Sequence, residues 1–574
     1  MSAPLRPVGP ATGPSPLASG VAVALILGAA ALLRYLALDL PGLWCDEAYT
    51  AQLASEAPLA ILRRLATTDD APPLYYLLVK PVSALLGRGE GGVRALSATA
   101  GWVAVLLLAL RGLRRRDRQC LWAAGVLAVA TYGVFHARQA RSYALLMLFA
   151  LAYILLARDL LLDARRRAGA GLPLLATALF LTHHLGILIV GTGLVLWPLR
   201  SPRGASLRRW LGYHLPPLLL WAGYWLLLHK QLALHGESNA WMLGFWQSRT
   251  LPLAPLYSLA AFVPGLLAAG QHQIAFPHLP PGWSAWRWLA AGAAAAVALL
   301  ALRPRPRPRN AARPDWRGRA AAIETGFLLL PLVALTVASL TWRPTYVLAR
   351  TDAIAFPAFS LLVGRALARG RLAAGLTLLA LWALVTVASL APNYGLGGPP
   401  TKGRDRQLAR ELIADGLGAN DAIVHTHLTA PSLEYYFSRW AIPHARFWFP
   451  PQAARNPAAV YPTPLDSLAR YAAAAQHLRS QLEATLDPDG VLYLLALEPG
   501  PTPIRRAAEP SAAVTANEIA YPSNLLLYAL CGLRPCEVWQ RYRQDWIAGR
   551  RLVLRLPRSS WTPRDSIPPL GEAP

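Results

Sequence analysis

Apolar runs long enough to cross a bilayer recur along this 574-residue chain, and short arginine-rich loops separate them. A hydrocarbon core takes about 20 apolar residues to span as a helix. A chain with many such runs folds only where lipid receives their surfaces and each backbone satisfies its own polar groups. Composition agrees: 55% of the residues are hydrophobic and 15% charged, too few charges to clothe a soluble protein of this length. The reading is a polytopic α-helical membrane protein.

The charge is lopsided, with 56 Lys+Arg against 30 Asp+Glu and a formal net of +26. Such a surplus often marks nucleic-acid binding. Here the arginines cluster between apolar runs, at Arg111–Arg118, Arg165–Arg167, Arg200–Arg209, Arg303–Arg319 and Arg365–Arg371, as orientation in a membrane requires. Nucleic acid is therefore not an expected partner; the lipid bilayer is. Placing these loops and an N-terminal tail (1–18) in the cytoplasm gives spans near 19–38, 92–110, 120–135, 143–161, 172–183, 184–199, 211–228, 285–302, 320–340, 352–368 and 372–390. About eleven crossings leave the C-terminal region outside the cytoplasmic membrane. The first run has no small-residue cleavage site and carries Arg34 near its end, so it reads as a retained anchor.

Two apolar stretches are expected not to cross. Pro72–Leu86, in a first outer loop (39–91), is short and starts with tandem proline, and Leu251–Ala269 is broken by Pro252, Pro255 and Pro264. Both suit helices lying at the interface. The transmembrane region thus covers 19–390, and 391–574 is polar and proline-rich. In the latter, helical spacing over Arg406–Leu417 and strand-like runs at Ala422, Gly490 and Leu552 predict a small extracytoplasmic α/β domain. Cys531 and Cys536 lie there, as a local disulfide or as two thiols, and no His/Cys spacing suits a zinc site.

With this topology the unusual polar residues gather on one side. The first outer loop brings Asp46, Glu47, Asp69, Asp70, Tyr75, Tyr76 and Lys80; the next brings Arg138, Arg141 and Tyr143; others bring His183, His184, Tyr346 and Arg350. Carboxylates beside arginines, rimmed by apolar helices, suit an anionic headgroup: the guanidinium fork matches phosphate, and a carboxylate can take a proton from an attacking group. Taken singly, each has a plainer reading. The acidic pair fits a solvated interface, the tyrosines an aromatic belt, the histidines a tight turn, and the arginines snorkelling side chains.

The ordered motifs resemble bacterial GT-C glycosyltransferases of the protein-mannosyltransferase-like and aminoarabinose-transferase-like group. They are Leu-Trp-Cys-Asp-Glu-Ala-Tyr from Leu43, Asp-Asp-Ala-Pro-Pro-Leu-Tyr-Tyr from Asp69, Arg-Gln-Ala-Arg-Ser-Tyr from Arg138, and Leu-Thr-His-His from Leu181. The match covers about residues 20–200 and thins towards 390, where Tyr346, Arg350 and Pro357 continue it. The resemblance implies inverting transfer of a sugar from a polyprenyl-phosphate donor to a lipid, glycan or protein acceptor outside the cytoplasmic membrane. By the same match Asp46 is the general base with Glu47 its companion. Arg141, with Lys80, Tyr346, Arg350 and Arg138, holds the donor phosphate; Asp69, Asp70, Tyr75, Tyr76, Tyr143, His183 and His184 contact substrate. No cofactor is indicated, and a divalent cation is the one that the resemblance leaves open. Two departures weigh against a bound metal: Ala71 stands where the family has His before Pro-Pro, and Gln139 where it has Glu. They also keep open a catalytically idle scaffold. A transporter or flippase is the other alternative, but it needs ionisable groups inside the spans rather than at loop ends.

Overall fold

The computed structural model describes residues 16–68, 71–163, 169, 171–234, 251–263, 316–342, 345–396, 404–425, 430–449, 468–498, 526, 529–531, 538–544 and 549–563. An apolar helix α1 (Pro16–Tyr35) leads into a first loop that is itself helical: α2 (Cys45–Ser55), α3 (Pro58–Thr68) and α4 (Leu74–Leu86). The bundle continues with α5 (Glu90–Arg115), α6 (Arg118–Val129), α7 (Thr131–Ala137), α8 (Tyr143–Leu162), α9 (Gly171–Thr182), α10 (Gly186–Val195) and α11 (Leu207–Leu234). After α12 (Ala254–Phe262) come α13 (Trp316–Thr341), α14 (Phe356–Leu367) and α15 (Leu372–Ser389).

Among the described residues, α5, α8, α15 and the 318–341 part of α13 are long and apolar enough to cross a membrane. The outward faces of α5, α13 and α15 bear exposed leucines and valines (Leu110, Leu330, Val333, Val337, Leu376, Leu384), as lipid contact requires. The 20–35 part of α1 is apolar but shorter, as are α9 and α10, and α11 covers the expected span 211–228. The expected span 285–302 lies outside the described residues, as does all of 264–315 with the proline-arginine tract. Pro72–Leu86 does form a short helix, and it buries one face through Tyr75, Tyr76, Val79 and Ser83.

One crossing differs from expectation. The run 120–135 is not one helix: α6 and α7 meet at 62°. Ala130 is extended (φ −68°, ψ 126°), which strips the end of α6 of its normal acceptor pairing. The buried Arg34 side chain repairs this by donating to Leu127 O (2.8 Å) and Ala128 O (2.9 Å), while the Thr386 hydroxyl donates to Val129 O at 2.6 Å. A sharp bend in lipid survives only when other groups take over the freed carbonyls. Arg34 was expected to mark the end of an anchor; it is a structural tie.

At the end of the bundle away from α2, Arg111, Arg115 and Arg365 of the basic loops, with Arg158 of α8, are closed into ion pairs. Glu324 receives Arg158 (2.5 Å), Arg365 (2.7 Å) and Gln119 (2.9 Å). Asp159 receives Arg111 at 2.6 and 3.0 Å, and Arg115 at 2.6 Å. These contacts join α5, α6, α8, α13 and α14 where they emerge.

The C-terminal region is an α/β domain with helices α16 (Asp405–Ala414), α17 (Ala430–Arg439) and α18 (Leu468–Thr485). Its strands are β1 (Ala422–His425), β2 (Ala445–Trp448), β3 (Val491–Glu498), β4 (Val538–Gln544) and β5 (Gly549–Pro557), in spatial order β2-β1-β3-β5-β4. β1 is parallel to β2 and β3, with α17 as the β1–β2 crossover, and β5 runs antiparallel to β3 and β4. Alternation sorts the side chains: Leu492 and Leu494 pack towards α18, Tyr493 and Leu495 towards α16 and α17. The strand-like runs expected at Ala422, Gly490 and Leu552 are β1, β3 and part of β5. Cys531 is buried, and Cys536 lies outside the described residues.

This domain docks on the first loop through α16 and α17. The Tyr436 hydroxyl accepts the Leu43 N–H (2.7 Å), Gln52 donates to Pro431 O (3.1 Å), and Arg406 and Arg439 reach Glu90 at 3.0 and 2.9 Å. Opposing its burial, these two guanidinia and a backbone hydrogen bond hold the Glu90 carboxyl below the usual carboxylate range. The domain therefore braces α2, the helix that carries Asp46.

Candidate active site

Asp46 lies in the first turn of α2, where unpaired backbone N–H groups favour a carboxylate. Its side chain is 14% exposed and sits between two cations, Arg350 Nη2 at 3.6 Å and Arg141 Nε at 3.8 Å from Oδ2. Both distances are ion pairs rather than hydrogen bonds. Residues more than 300 positions apart thus surround one carboxylate. The Arg350 guanidinium also lies over the Trp44 ring, 5.6 Å from its centre, and follows Ala349, whose φ of 57° is left-handed. That conformation costs alanine about 1–2 kcal/mol, held here by the turn in which Thr351 donates to Val347 O. Cys45 is next to Asp46, but burial, reinforced by the Asp46 charge, pushes its thiol well above the ordinary value. A thiol shifted in that direction is a weaker nucleophile than a free one.

The Glu47 side chain points the other way. It is 1% exposed, takes a two-pronged bond from Arg94 (Nε–Oε1 2.8 Å, Nη2–Oε2 2.6 Å), and accepts the Ala140 N–H at 2.8 Å. Arg94 uses its remaining donors on Leu38 O, Pro41 O and Gly42 O. The expected catalytic companion is a buried strut, because its lone pairs are taken. Arg94 was missed from the sequence. It is the first charge inside the run 92–110, and an ionisable group within a span is itself a signal of function or of a strong partner.

Several expected phosphate ligands have other work. Lys80 donates to Glu56 O at 2.6 Å and so closes the end of α2 opposite Asp46. Arg138 gathers Leu36 O (2.7 Å), Ala37 O (3.0 Å) and Asn393 O (3.0 Å), with Tyr394 against its guanidinium. The Tyr346 hydroxyl is buried against Ser258 (2.7 Å), which donates to Asp352, as does Tyr132. Lys80 and Arg138 thus meet carbonyls and Tyr346 a serine hydroxyl, where a phosphate was expected.

Of the expected substrate contacts, Tyr75 shares a hydrogen bond with Ser97 (2.8 Å), and Ser97 donates to the Arg141 carbonyl at 3.0 Å. Tyr75 therefore steadies the backbone of Arg141 from behind. Tyr76 packs edge-on against Tyr49 and Tyr75. Tyr143 lies between His136 and His183, ring centres 5.1 and 5.7 Å away, while His184 stacks on Tyr224. His183 Nδ1 accepts the Leu185 N–H at 3.2 Å, which makes the expected turn between α9 and α10. Asp69 and Asp70 lie outside the described residues. Among the described residues no His, Cys, Asp and Glu side chains form a group that could hold a metal ion.

No family model matches the chain, and no curated protein does. A solved structure, ArnT from Cupriavidus metallidurans bound to undecaprenyl phosphate, matches with a TM-score of 0.53 at 15% identity, covering 95% of this chain and 100% of that chain. The same protein in its apo state matches with a TM-score of 0.39 at 16% identity, with the same coverage, and nothing rests on it. At such identity the likeness is one of fold. It bears out a polytopic helical membrane fold like that of the solved structure.

Proposed function

We propose that this protein is a membrane glycosyltransferase that moves a sugar from a polyprenyl-phosphate donor to an acceptor, with Asp46 as general base. The single observation that carries the reading is Asp46 poised between Arg141 and Arg350. The acceptor O–H or N–H attacks the anomeric carbon and gives its proton to Asp46. The bond from that carbon to the phosphate oxygen breaks on the opposite face, so configuration inverts. The departing phosphate keeps the electron pair, and its charge falls to Arg141 and Arg350, whose five donors each exceed what one carboxylate uses. Glu47 and Arg94 act as positioning residues that set α2 against the loop bearing Arg141.

Undecaprenyl phosphate bound to the fold's relative supports the donor class. The pairing of arginines at the far end of the bundle supports a cytoplasmic placement of that end, with Asp46 and the α/β domain on the outer side of the cytoplasmic membrane. A transport pathway is less well supported, because the buried ionisable groups Arg34, Arg158, Glu324 and Arg365 are closed into structural bonds.

Purified protein in nanodiscs, assayed with a panel of radiolabelled polyprenyl-phosphate sugars, tests the proposal. Asp46→Asn is expected to lower transfer by about 100-fold or more with insertion unchanged. Transfer by Asp46→Asn at the wild-type rate overturns it.

A further inference from the structure

A cavity whose lining does not include Asp46 opens between the first loop and the α/β domain. It has a volume of about 830 Å³ and runs along the last two turns of α2, from Ala51 to Glu56, facing α17 and β2. Its charged lining is four arginines, Arg64, Arg88, Arg439 and Arg446, against two carboxylates, Glu56 and Glu434. Three of the arginines are paired: Arg64 with Glu56, Arg439 with Glu90 at 2.9 Å, and Arg446 with Glu434 at 3.0 Å. The lining still carries a surplus of positive charge, and Arg446 is half exposed and Arg88 exposed. Tyr435 and Trp448 line the same cavity, with Gln52, Ser55, Ser83 and Ser438 between the charges.

Aromatic faces interspersed with hydroxyls and amides suit the alternating apolar and polar faces of a sugar ring. Guanidinium forks add two-pronged recognition of carboxylate. Arg64, Arg439 and Arg446 of this lining already engage carboxylates, those of Glu56, Glu90 and Glu434, so carboxylate is the anion these guanidinia are seen to hold. Helix α2 connects the two sites, since Gln52 lies about 9 Å along its axis from Asp46. We propose that this groove binds an acidic saccharide whose charge is carried on carboxylates, as the distal part of the acceptor. The acceptor assignment rests on the transfer reading above; the binding site itself does not.

The test uses full-length protein in nanodiscs and calorimetric titration with trigalacturonate, maltotriose and inorganic phosphate. The expected result is saturable binding of trigalacturonate, with maltotriose at least tenfold weaker. The double charge reversal Arg88→Glu with Arg446→Glu weakens trigalacturonate at least tenfold. If that variant does not fold, Arg88→Gln with Arg446→Gln serves, with a loss of about threefold or more. Asp46→Asn binds trigalacturonate as the wild type does, so loss of transfer and loss of groove binding are read separately. Equal binding of maltotriose, displacement of trigalacturonate by equimolar phosphate, or unchanged binding in both double variants overturns the proposal.

Discussion

The Glu47 carboxylate accepts the Ala140 N–H at 2.8 Å, one residue before Arg141. Through that bond the helix carrying Asp46 and the loop carrying Arg141 share a single buried anchor, held in turn by Arg94. The distance between acid and cation at the site is therefore set by a neighbour that faces away from it.

Removing Arg94 leaves Glu47 as an uncompensated buried charge. Arg94→Ala is expected to cost about 3–5 kcal/mol of stability, whereas Arg94→Met with Glu47→Leu costs much less, since deleting both partners removes the orphan. Thermal unfolding in detergent checks this, and equal losses for the single and double variants refute the strut.

Arg141 and Arg350 are assigned to the departing phosphate. Arg350→Ala and Arg141→Ala are each expected to lower kcat by about 10²–10³ with little change in melting temperature. Lysine at either position recovers only part of the rate, because a point charge replaces a fork. Steady-state transfer assays decide it.

Lys80 and Arg138, by contrast, are placed on carbonyls. Lys80→Met is expected to leave kcat within about twofold and to lower stability by about 0.3–1 kcal/mol, the scale of a cation at a helix C-terminus. A rate loss as large as that of Arg141→Ala returns Lys80 to the phosphate.

Arg34 serves the bend between α6 and α7. Arg34→Met strips two buried carbonyls of their donor and is expected to cost about 2–6 kcal/mol, at about 1–3 kcal/mol for each unsatisfied group. The yield of folded, inserted protein falls accordingly, and size-exclusion profiles read it.

In the α/β domain, burial favours protonation of Glu434, but hydrogen bonds from His425 (2.8 Å) and His444 (3.2 Å) outweigh it and hold the carboxyl well below the usual range. A depressed carboxyl contributes stability that is complete above its unfolded value, about 4.3, and is lost as pH falls through the folded one. The melting-temperature gap between wild type and Glu434→Gln is expected to shrink as pH falls below about 4. A gap that widens in acid contradicts this.

The membrane class, the helix at Pro72–Leu86 in the first loop and the sheet-bearing C-terminal domain were legible in the residues, and Asp46, Arg141 and Arg350 were among the polar residues expected on one side. Hydropathy acts locally, and a charge at the end of an apolar run marks itself. What each cation touches was not legible. Arg138, Arg141 and Lys80 look alike in the chain, yet two of them close helix ends and one faces a carboxylate. Glu47 adjoins Asp46 but lies about 100° further round the first turn of α2, so helical geometry sends it inward to Arg94. The bend at Ala130 was likewise hidden, because its carbonyls are satisfied by Arg34 and Thr386, brought from about 95 and 255 residues away. Local composition decides which segments enter lipid; only the packed bundle decides which polar groups meet, since partners for buried charge come from wherever the chain returns.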